Sequence, residues 1–295
     1  MPLPIPEPRS SGHTVTTAVP LYWAAYGQEG GERLLVLHGG PGASHDYLLP
    51  QMLALADERE LLFYDQRGGG RSRAEIAAAV TWQDHVDDLE KVVREFRLEP
   101  LSILAYSWGA LLALLHSSQA FAGAGRTRPA RLVLLDPAPA TAGYRRDFEM
   151  EFARRQQSEP VRAMREELRR SGLQNSDRNA YGKRAFELSV AGYFADPARA
   201  RDLTPFRVIG RVQQSVWESL GDYDIAQNLR DVSCPALVVH GREDPIPLVS
   251  SQLIARALNA ELVVLADSGH VPYVERPEEL FSAIRRFLAD NPSST

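Results

Sequence analysis

The sequence predicts an α/β fold built on a mostly parallel, doubly wound sheet, with a helical cap inserted in the second half of the chain. Six short runs rich in Val, Ile and Leu alternate with helix-like segments, and each run is short enough to be a strand buried on both faces. The runs are Leu34–His38, Leu61–Asp65, Leu101–Tyr106, Leu132–Asp136, Ala236–His240 and Leu262–Ala266. Sheets of this kind bind ligands beyond the carboxyl ends of their strands, so residues after each run are candidate site residues.

Two segments beside these runs have distinct patterns. Val15–Tyr26 precedes the first run, and we expect it to form an antiparallel hairpin at the edge of the sheet. Gln83–Phe96 has apolar residues at helical spacing, preceded by a capping box from Thr81 to Asp84. The pattern therefore predicts a helix that packs one face on the sheet.

The alternation of strands and helices stops between residues 141 and 221, where a charged, helix-prone stretch begins. We interpret residues 141–221 as a helical cap, residues 12–140 and 222–295 as the core domain, and residues 1–11 as a proline-rich arm. The helices expected in the cap are Asp147–Gln157, Val161–Arg170 and Arg207–Leu220. The apolar residues expected to face inward are Phe148, Phe152, Met164 and Leu168.

Composition excludes several classes of protein. The chain has 295 residues, of which 44% are hydrophobic and 24% charged, as in ordinary globular proteins. A net charge of -5 gives no basic field for a polyanion, so nucleic acid is not an expected partner. The single cysteine, Cys234, cannot form an internal disulfide or a thiolate zinc site, and we expect it to be a packing residue.

The N-terminal residues lack the apolar stretch of a signal peptide, and no apolar run approaches membrane-spanning length. We therefore expect an intracellular, cytoplasmic protein with no membrane partner. The sequence contains no signal for its oligomeric state.

Ala105-Tyr106-Ser107-Trp108-Gly109 is the strongest catalytic motif. It lies between a predicted strand and the helix-like Ala110–Gln119, the context required by a G-x-S-x-G nucleophile elbow. Alanine replaces the first glycine of that pattern, which adds one methyl group and is expected to preserve the turn. The alternative is a serine that caps a helix. The context favours Ser107 as a nucleophile.

A serine nucleophile needs a base to accept its proton and an acid to orient the base. His270 follows the last predicted strand, and Asp244 follows the strand before it. The order serine, aspartate, histidine is that of α/β-hydrolases. Asp136, which also ends a strand, or Glu243 could orient the base instead, whereas Asp267 could cap a turn.

A glycine-rich segment, His38-Gly39-Gly40-Pro41-Gly42, follows the first of the six runs. We assign the oxyanion hole to the backbone N–H groups of Gly40 and Trp108, and we expect Gly39 to let the backbone approach the substrate. The second glycine-rich segment, Asp65–Ser72, lacks the ending and spacing of a phosphate-binding loop. It is predicted to be a structural turn beside the site.

The HGGPG segment at 38–42, the DQRGGGRS segment at 65–72 and the Tyr106–Gly109 step together resemble the prolyl aminopeptidase (proline iminopeptidase) family of α/β-hydrolases. The resemblance covers about Tyr22–Asp136 and Pro235–Leu288. It implies an α/β-hydrolase fold, no cofactor or metal, and cleavage after a free N-terminal residue of a short peptide or small amide. It also implies that carboxylates of the cap bind the substrate ammonium.

Trp217-Glu218 resembles the family's Trp-Glu step in the cap, so the resemblance makes Trp217 and Glu218 candidate substrate-binding residues. Other possible cap carboxylates are Glu149, Glu151 and Glu187. Without an ammonium site, the same residues would serve a carboxylesterase that hydrolyses an ester, thioester or lactone. A non-catalytic binding protein on the same scaffold is the third hypothesis.

Overall fold

The structure is a computed structural model that describes residues 3–73 and 79–289. Met1 and Pro2 of the predicted arm and residues 290–295 of the predicted core domain lie outside the described residues. Eight strands of the described part form one sheet. They are β1 (Ser10–His13), β2 (Tyr22–Gly27), β3 (Glu32–Leu37), β4 (Arg59–Tyr64), β5 (Leu101–Tyr106), β6 (Pro129–Leu135), β7 (Ala236–Gly241) and β8 (Glu261–Leu265).

The sheet is mostly parallel, as predicted, and all six apolar runs form strands. The strand order is β1-β2-β4-β3-β5-β6-β7-β8. β2 pairs antiparallel with β1 and β4, whereas every other neighbouring pair is parallel. β5 lies inside the sheet with all six residues buried, so its carboxyl end is surrounded by the ends of other strands.

The edge hairpin forms, but its first strand begins earlier than predicted. β1 pairs Ser10 with Ala25, and it therefore includes the last two residues of the predicted proline-rich arm. Val15 is 86% exposed and belongs to the connection between the strands, which is closed by a 2.9 Å hydrogen bond from the N–H of Thr14 to the carbonyl of Leu21. Side-chain hydrophobicity predicts an edge strand poorly because one of its sides is solvated.

Helices cover the sheet on both faces. They are α1 (Trp82–Glu95), α2 (Trp108–Phe121), α3 (Ala142–Arg155), α4 (Glu159–Arg170), α5 (Leu173–Ser176), α6 (Arg178–Val190), α7 (Gly210–Leu220), α8 (Leu248–Leu258), α9 (Pro272–Glu275) and α10 (Pro277–Ala289), with 3₁₀ turns at His45–Leu48, Gln51–Leu55, Ala191–Tyr193 and Pro197–Asp202. The predicted capping box begins α1: Thr81 Oγ1 accepts the N–H of Asp84, and the Asp84 carboxylate accepts the N–H of Thr81.

The helices α3 to α7 all lie between β6 and β7. A bridge between Thr141 and Asp224 brings the two ends of this segment together, as expected for an insertion at one point of the sheet. Among the residues expected to face inward, Leu168 is buried, whereas Phe148, Phe152 and Met164 are half-buried. The limits of a cap domain at residues 141 and 221 stay a prediction.

Two apolar clusters lie on opposite faces of the sheet. Alternate residues of β5 belong to different clusters: Ile103 and Ala105 pack on one face, Leu104 and Tyr106 on the other. Cys234 is buried in the first cluster, which confirms that it is a packing residue, and burial raises the pKa of its thiol to about 11. No helix of the described residues is long and apolar enough to span a membrane.

Candidate active site

Ser107 lies in a sharp turn between β5 and α2. Its φ of 53° and ψ of -119° are unfavourable for an L-residue and persist only when the surroundings fix them. The N–H of Ser107 donates to the carbonyl of Leu135 over 2.9 Å, and its carbonyl accepts the N–H groups of Ala110 and Ala138 over 3.0 Å each. Contacts with the neighbouring strand and helix therefore hold Ser107 above the sheet.

The residues at either end of the turn are small for different reasons. A Cβ atom at Gly109 would lie 2.6 Å from the carbonyl oxygens of Leu37 and His38, so only glycine lets α2 begin this close to β3. Ala105, at the position where the pattern has glycine, is fully buried in the apolar core. Its methyl group is accommodated, and the turn closes.

Ser107, His270 and Asp244 form one hydrogen-bonded series. His270 Nε2 lies 2.9 Å from Ser107 Oγ, and His270 Nδ1 lies 2.8 Å from Asp244 Oδ2. The second carboxylate oxygen of Asp244 accepts the N–H of Ile246 over 2.7 Å. An imidazole that donates from Nδ1 to this carboxylate has a free lone pair on Nε2, directed at the serine hydroxyl.

The structure places Asp136, Glu243 and Asp267 away from the imidazole of His270. Asp136 is fully buried and accepts the N–H of Gly241 over 2.8 Å. Glu243 accepts the N–H of Ser268, and Asp267 is exposed and paired with Arg276. In the described structure none of these three carboxylates is hydrogen-bonded to His270.

One group of side chains in the described residues is close enough to hold a metal ion: Asp136, His240 and Asp244, whose ligand atoms lie within 4.8 Å of one another. Both imidazole nitrogens of His240 are already engaged, because Nδ1 lies 2.9 Å from Ser251 Oγ and Nε2 lies 3.2 Å from the carbonyl of Ile246. Burial also raises the pKa of Asp136 well above its usual range, which favours a neutral acid. We interpret this group as a hydrogen-bonded cluster beneath Asp244.

The backbone N–H groups of Gly40 and Trp108 are the predicted oxyanion donors. Neither N–H group donates a hydrogen bond to any residue that the structure describes. Gly39 lies against Ser107, and a Cβ at this position would be 2.7 Å from Ser107 Cβ. The two free N–H groups and the hydroxyl therefore lie at the same end of the sheet.

A cavity of about 660 Å³ opens above Ser107. Within the described residues its wall contains ten aromatic residues, and the segment between β6 and β7 supplies six of them. The aromatic residues in the wall are Tyr47, Tyr106, Trp108, Phe148, Phe152, Phe186, Tyr193, Phe206, Trp217 and Tyr273. A cavity of this size and composition fits a small substrate with an apolar or aromatic part.

Of the four cap carboxylates named as candidates, the cavity wall contains one. Trp217 lies in the cavity wall, but Glu218 is exposed, lies outside the wall and accepts a hydrogen bond from Gln214 over 2.7 Å. The helix α7 turns about 100° per residue, so neighbouring side chains leave it in different directions. Glu149 is the carboxylate that the described cavity wall contains, and its Oε1 lies 2.9 Å from Arg145 Nε.

The other two candidate carboxylates, Glu151 and Glu187, also lie outside the cavity wall. Glu151 pairs with Arg154 and Arg155, and Glu187 pairs with Arg184. Both carboxylates are therefore committed to pairs within the helices of the insertion.

The sequence model of the Alpha/beta hydrolase family matches residues 34–283, a span that contains the serine, the aspartate and the histidine. The chain belongs to this family. As a member, the protein is a hydrolase, and its fold and resemblance to prolyl aminopeptidases agree with the sequence prediction.

Similar proteins carry different activities in their names. The chain is 26% identical to the proline iminopeptidase of Heyndrickxia coagulans over 275 residues, 88% of this chain and 91% of that protein. The proline iminopeptidase structure from Mycobacterium smegmatis has a TM-score of 0.68 at 21% identity and covers 95% of this chain and 98% of its own. The enol-lactonase of Burkholderia xenovorans LB400 has a TM-score of 0.67 at 18% identity, with 95% and 100% coverage. These two structural likenesses describe the fold alone.

Gln66 connects the glycine-rich segment after β3 to Trp108, a role that the sequence did not predict. Its amide Nε2 donates to the carbonyl of His38 over 2.7 Å, and its Oε1 accepts the indole N–H of Trp108 over 2.8 Å. Asp65 before it accepts backbone N–H groups of His45 and Arg71. The hydrolase therefore uses this glycine-rich segment to brace the site.

The loop that carries His270 is fixed by tyrosines on two sides. The N–H of His270 donates to the carbonyl of Tyr193 over 2.7 Å, and the hydroxyl of Tyr106 donates to the carbonyl of His270 over 2.7 Å. Both rings lie 5.2 Å from the imidazole. The imidazole is thus held between the strand β5 and the turn at 191–193.

Glu275 joins this loop to the insertion and was also missed by the sequence analysis. Its Oε2 accepts the N–H of Gly269 over 2.7 Å, and its Oε1 accepts the N–H groups of Ala195 and Asp196 over 2.9 and 3.3 Å. Burial raises the pKa of its carboxyl to about 7. An acid within the mostly apolar segment Val271–Glu275 was the only sequence signal for this role.

Replacing Glu275 by Gln should destabilise the protein and lower its rate of hydrolysis. An amide has one acceptor oxygen where the carboxylate has two, so at least one of the three N–H groups loses its partner. We expect the free energy of unfolding to fall by about 1–3 kcal/mol, measured by urea denaturation at neutral pH. Glu279→Gln, an exposed change on α10, is the matched control. Equal stability of the two variants would show that these bonds do not hold the loop.

Proposed function

We propose that the protein is a serine hydrolase that acts through an acyl-enzyme, with Ser107 as nucleophile, His270 as base and Asp244 as the orienting acid. The observation that carries this proposal is the unbroken series from Ser107 Oγ through the imidazole to the carboxylate, beside two free backbone N–H groups. The intracellular location predicted from the sequence is part of the same proposal.

The proposed reaction has two halves. Ser107 Oγ attacks the substrate carbonyl while His270 Nε2 accepts the hydroxyl proton, and Asp244 stabilises the imidazolium. The N–H groups of Gly40 and Trp108 donate to the tetrahedral oxyanion. The imidazolium then protonates the leaving group. In the second half, a water molecule attacks the acyl-enzyme with the same base, which releases the acid and restores Ser107.

The first candidate for the substrate is a short peptide or small amide with a free N-terminal residue. The name of the Heyndrickxia coagulans relative supports this candidate, because it is a proline iminopeptidase and its similarity covers most of both chains. A substrate ammonium in the cavity needs a carboxylate partner. Glu149 takes the place of Glu218 in this proposal, since it lies in the wall.

The second candidate is a carboxylesterase, and the state of Glu149 favours it. Its carboxylate is already paired with Arg145, and its side chain is 54% exposed. A substrate ammonium would have to displace a guanidinium from this carboxylate. An ester with an apolar acyl group needs no such exchange and fits the aromatic wall.

Two substrates separate these candidates. If the protein is an aminopeptidase, we expect kcat/KM to be higher for proline p-nitroanilide than for p-nitrophenyl butyrate. Glu149→Gln should then raise KM for the amide alone. Glu218→Gln, an exposed change outside the cavity, is the matched control. Ester hydrolysis with no amide turnover, indifferent to Glu149, would identify the carboxylesterase.

Replacing Ser107 by Ala should abolish turnover and labelling by a serine-directed fluorophosphonate. Loss of the nucleophile is expected to lower kcat by about 10⁴- to 10⁶-fold while the fold is kept, as circular dichroism would check. Ser189 also lies in the cavity wall, so Ser189→Ala is the matched control and should still be labelled. Labelling of Ser107→Ala would refute the assignment of the nucleophile.

The rate should fall as the pH falls through about 7. Burial raises the pKa of Asp244 to about 7 and lowers the pKa of His270, so the buried pair takes up its first proton near neutrality. The active pair is a carboxylate beside a neutral imidazole, and the first proton removes that state. The measurement is kcat/KM for p-nitrophenyl butyrate against pH.

Glu275 titrates in the same range, so it is a possible second source of this pH dependence. The pH profile of kcat/KM is therefore repeated with Glu275→Gln. A fall that is due to Asp244 and His270 persists in this variant. Full activity of both proteins well below pH 7 would contradict the assigned pair.

A further inference from the structure

Arg145 places a positive charge in the cavity wall. It lies on α3, and its guanidinium carbon is 4.2 Å from the ring centre of Trp217, a cation–π contact. Its Nε donates to Glu149 over 2.9 Å. The two terminal nitrogens of Arg145 have no hydrogen-bond acceptor among the residues that the structure describes.

The guanidinium is on the same wall as the proposed anion site. The ring of Trp217 meets the ring of Trp108 edge to face, with 5.2 Å between their centres. Trp108 is the residue after Ser107 and the source of one proposed oxyanion donor. Arg145, Trp217 and Trp108 therefore form a continuous row in the wall of the cavity that contains Ser107.

The geometry of Arg145 leaves one edge of its guanidinium for a ligand. A guanidinium has five N–H donors in a fixed plane, and Glu149 occupies only the Nε side. The edge formed by the two terminal nitrogens matches the two oxygens of a carboxylate, which accept a pair of parallel hydrogen bonds. The side chain of Arg145 is 28% exposed and packed on an aromatic ring, so such a pair would be partly shielded from water.

We propose that Arg145 binds a carboxylate of the substrate, so that the natural substrate is a small ester or amide with a free carboxylate in addition to the bond that Ser107 attacks. The proposal rests on the proposed serine hydrolase function. Trp217 packs on the face of the guanidinium, and Glu149 occupies only its Nε side. The free C-terminus of a dipeptide and the second acid group of a half-ester share this chemistry.

The test compares matched substrates with and without the charge. In one pair, 4-carboxyphenyl butyrate and 4-carbamoylphenyl butyrate, the leaving group differs. In the other, mono-4-nitrophenyl adipate and 4-nitrophenyl hexanoate, the acyl group differs. The quantity measured is the ratio of kcat/KM for the charged substrate to kcat/KM for the neutral one. Comparing this ratio between variants cancels differences in intrinsic reactivity.

In at least one pair, Arg145→Gln should lower the ratio by about 10- to 100-fold through a higher KM for the charged substrate. Arg145→Lys should lose less, because it keeps the charge without the fork. Glu149→Gln should raise the ratio, since it removes a competing anion. Arg146→Gln is the matched control: Arg146 is the next residue of α3, is 68% exposed and lies outside the wall, and its ratio should match the wild type.

A ratio that changes less than about twofold in Arg145→Gln for both pairs would overturn the proposal, as would equal effects of Arg145→Gln and Arg146→Gln. If the wild type hydrolyses none of the four esters, the proposed function fails first. The role of Arg145 is then tested by measuring the binding of adipate monomethyl ester to the intact protein, with tryptophan fluorescence as the readout. Binding that is lost in Arg145→Gln and kept in Arg146→Gln supports the carboxylate site, and binding that Arg145→Gln leaves unchanged overturns it.

Discussion

The backbone of Ser107 has a φ of 53°, a strained value for an L-residue. The surrounding structure keeps Ser107 in this conformation. The carbonyl of Leu135 on the neighbouring strand and the first turn of α2 fix the two peptide groups of Ser107. Because glycine at 109 allows α2 to begin close to the end of β3, Trp108 and Gly40 line the same cavity. The proposed nucleophile and the proposed anion site thus result from one constrained peptide.

The sequence predicted the elements that depend on local pattern and missed those that depend on single long-range contacts. Continuous apolar runs identified all six parallel strands, since a strand buried on both faces leaves a clear trace. The edge strand β1 was misplaced because backbone pairing, not side-chain polarity, defines it. Ser107, Asp244 and His270 each follow a strand, and the parallel sheet brings them together. Gln66 and Glu275 were missed because they bind backbone groups distant in sequence.

The substrate is decided in the part of the chain where sequence is least informative. Proteins named as an iminopeptidase and as a lactonase share this fold at similar TM-scores, so the fold alone does not select the substrate. The helices α3 and α7 bring Arg145, Glu149 and Trp217 to the cavity and leave Glu218 outside. A dipeptide step such as Trp217-Glu218 cannot specify which of its two side chains faces inward, because that depends on how the helix packs.

Tyr193 contributes to the structure in two ways. Its ring is part of the cavity wall, and its carbonyl holds the N–H of His270. A change of shape at this turn therefore alters the position of His270 together with the shape of the pocket. The helix α3 packs on the same turn, because the ring of Phe152 lies 4.4 Å from the ring of Tyr193. Changes on the inner face of α3 that adapt the pocket to a new compound are therefore also expected to reach the loop of His270. The turn at 191–193 shares the constraints of the sheet although it belongs to the insertion.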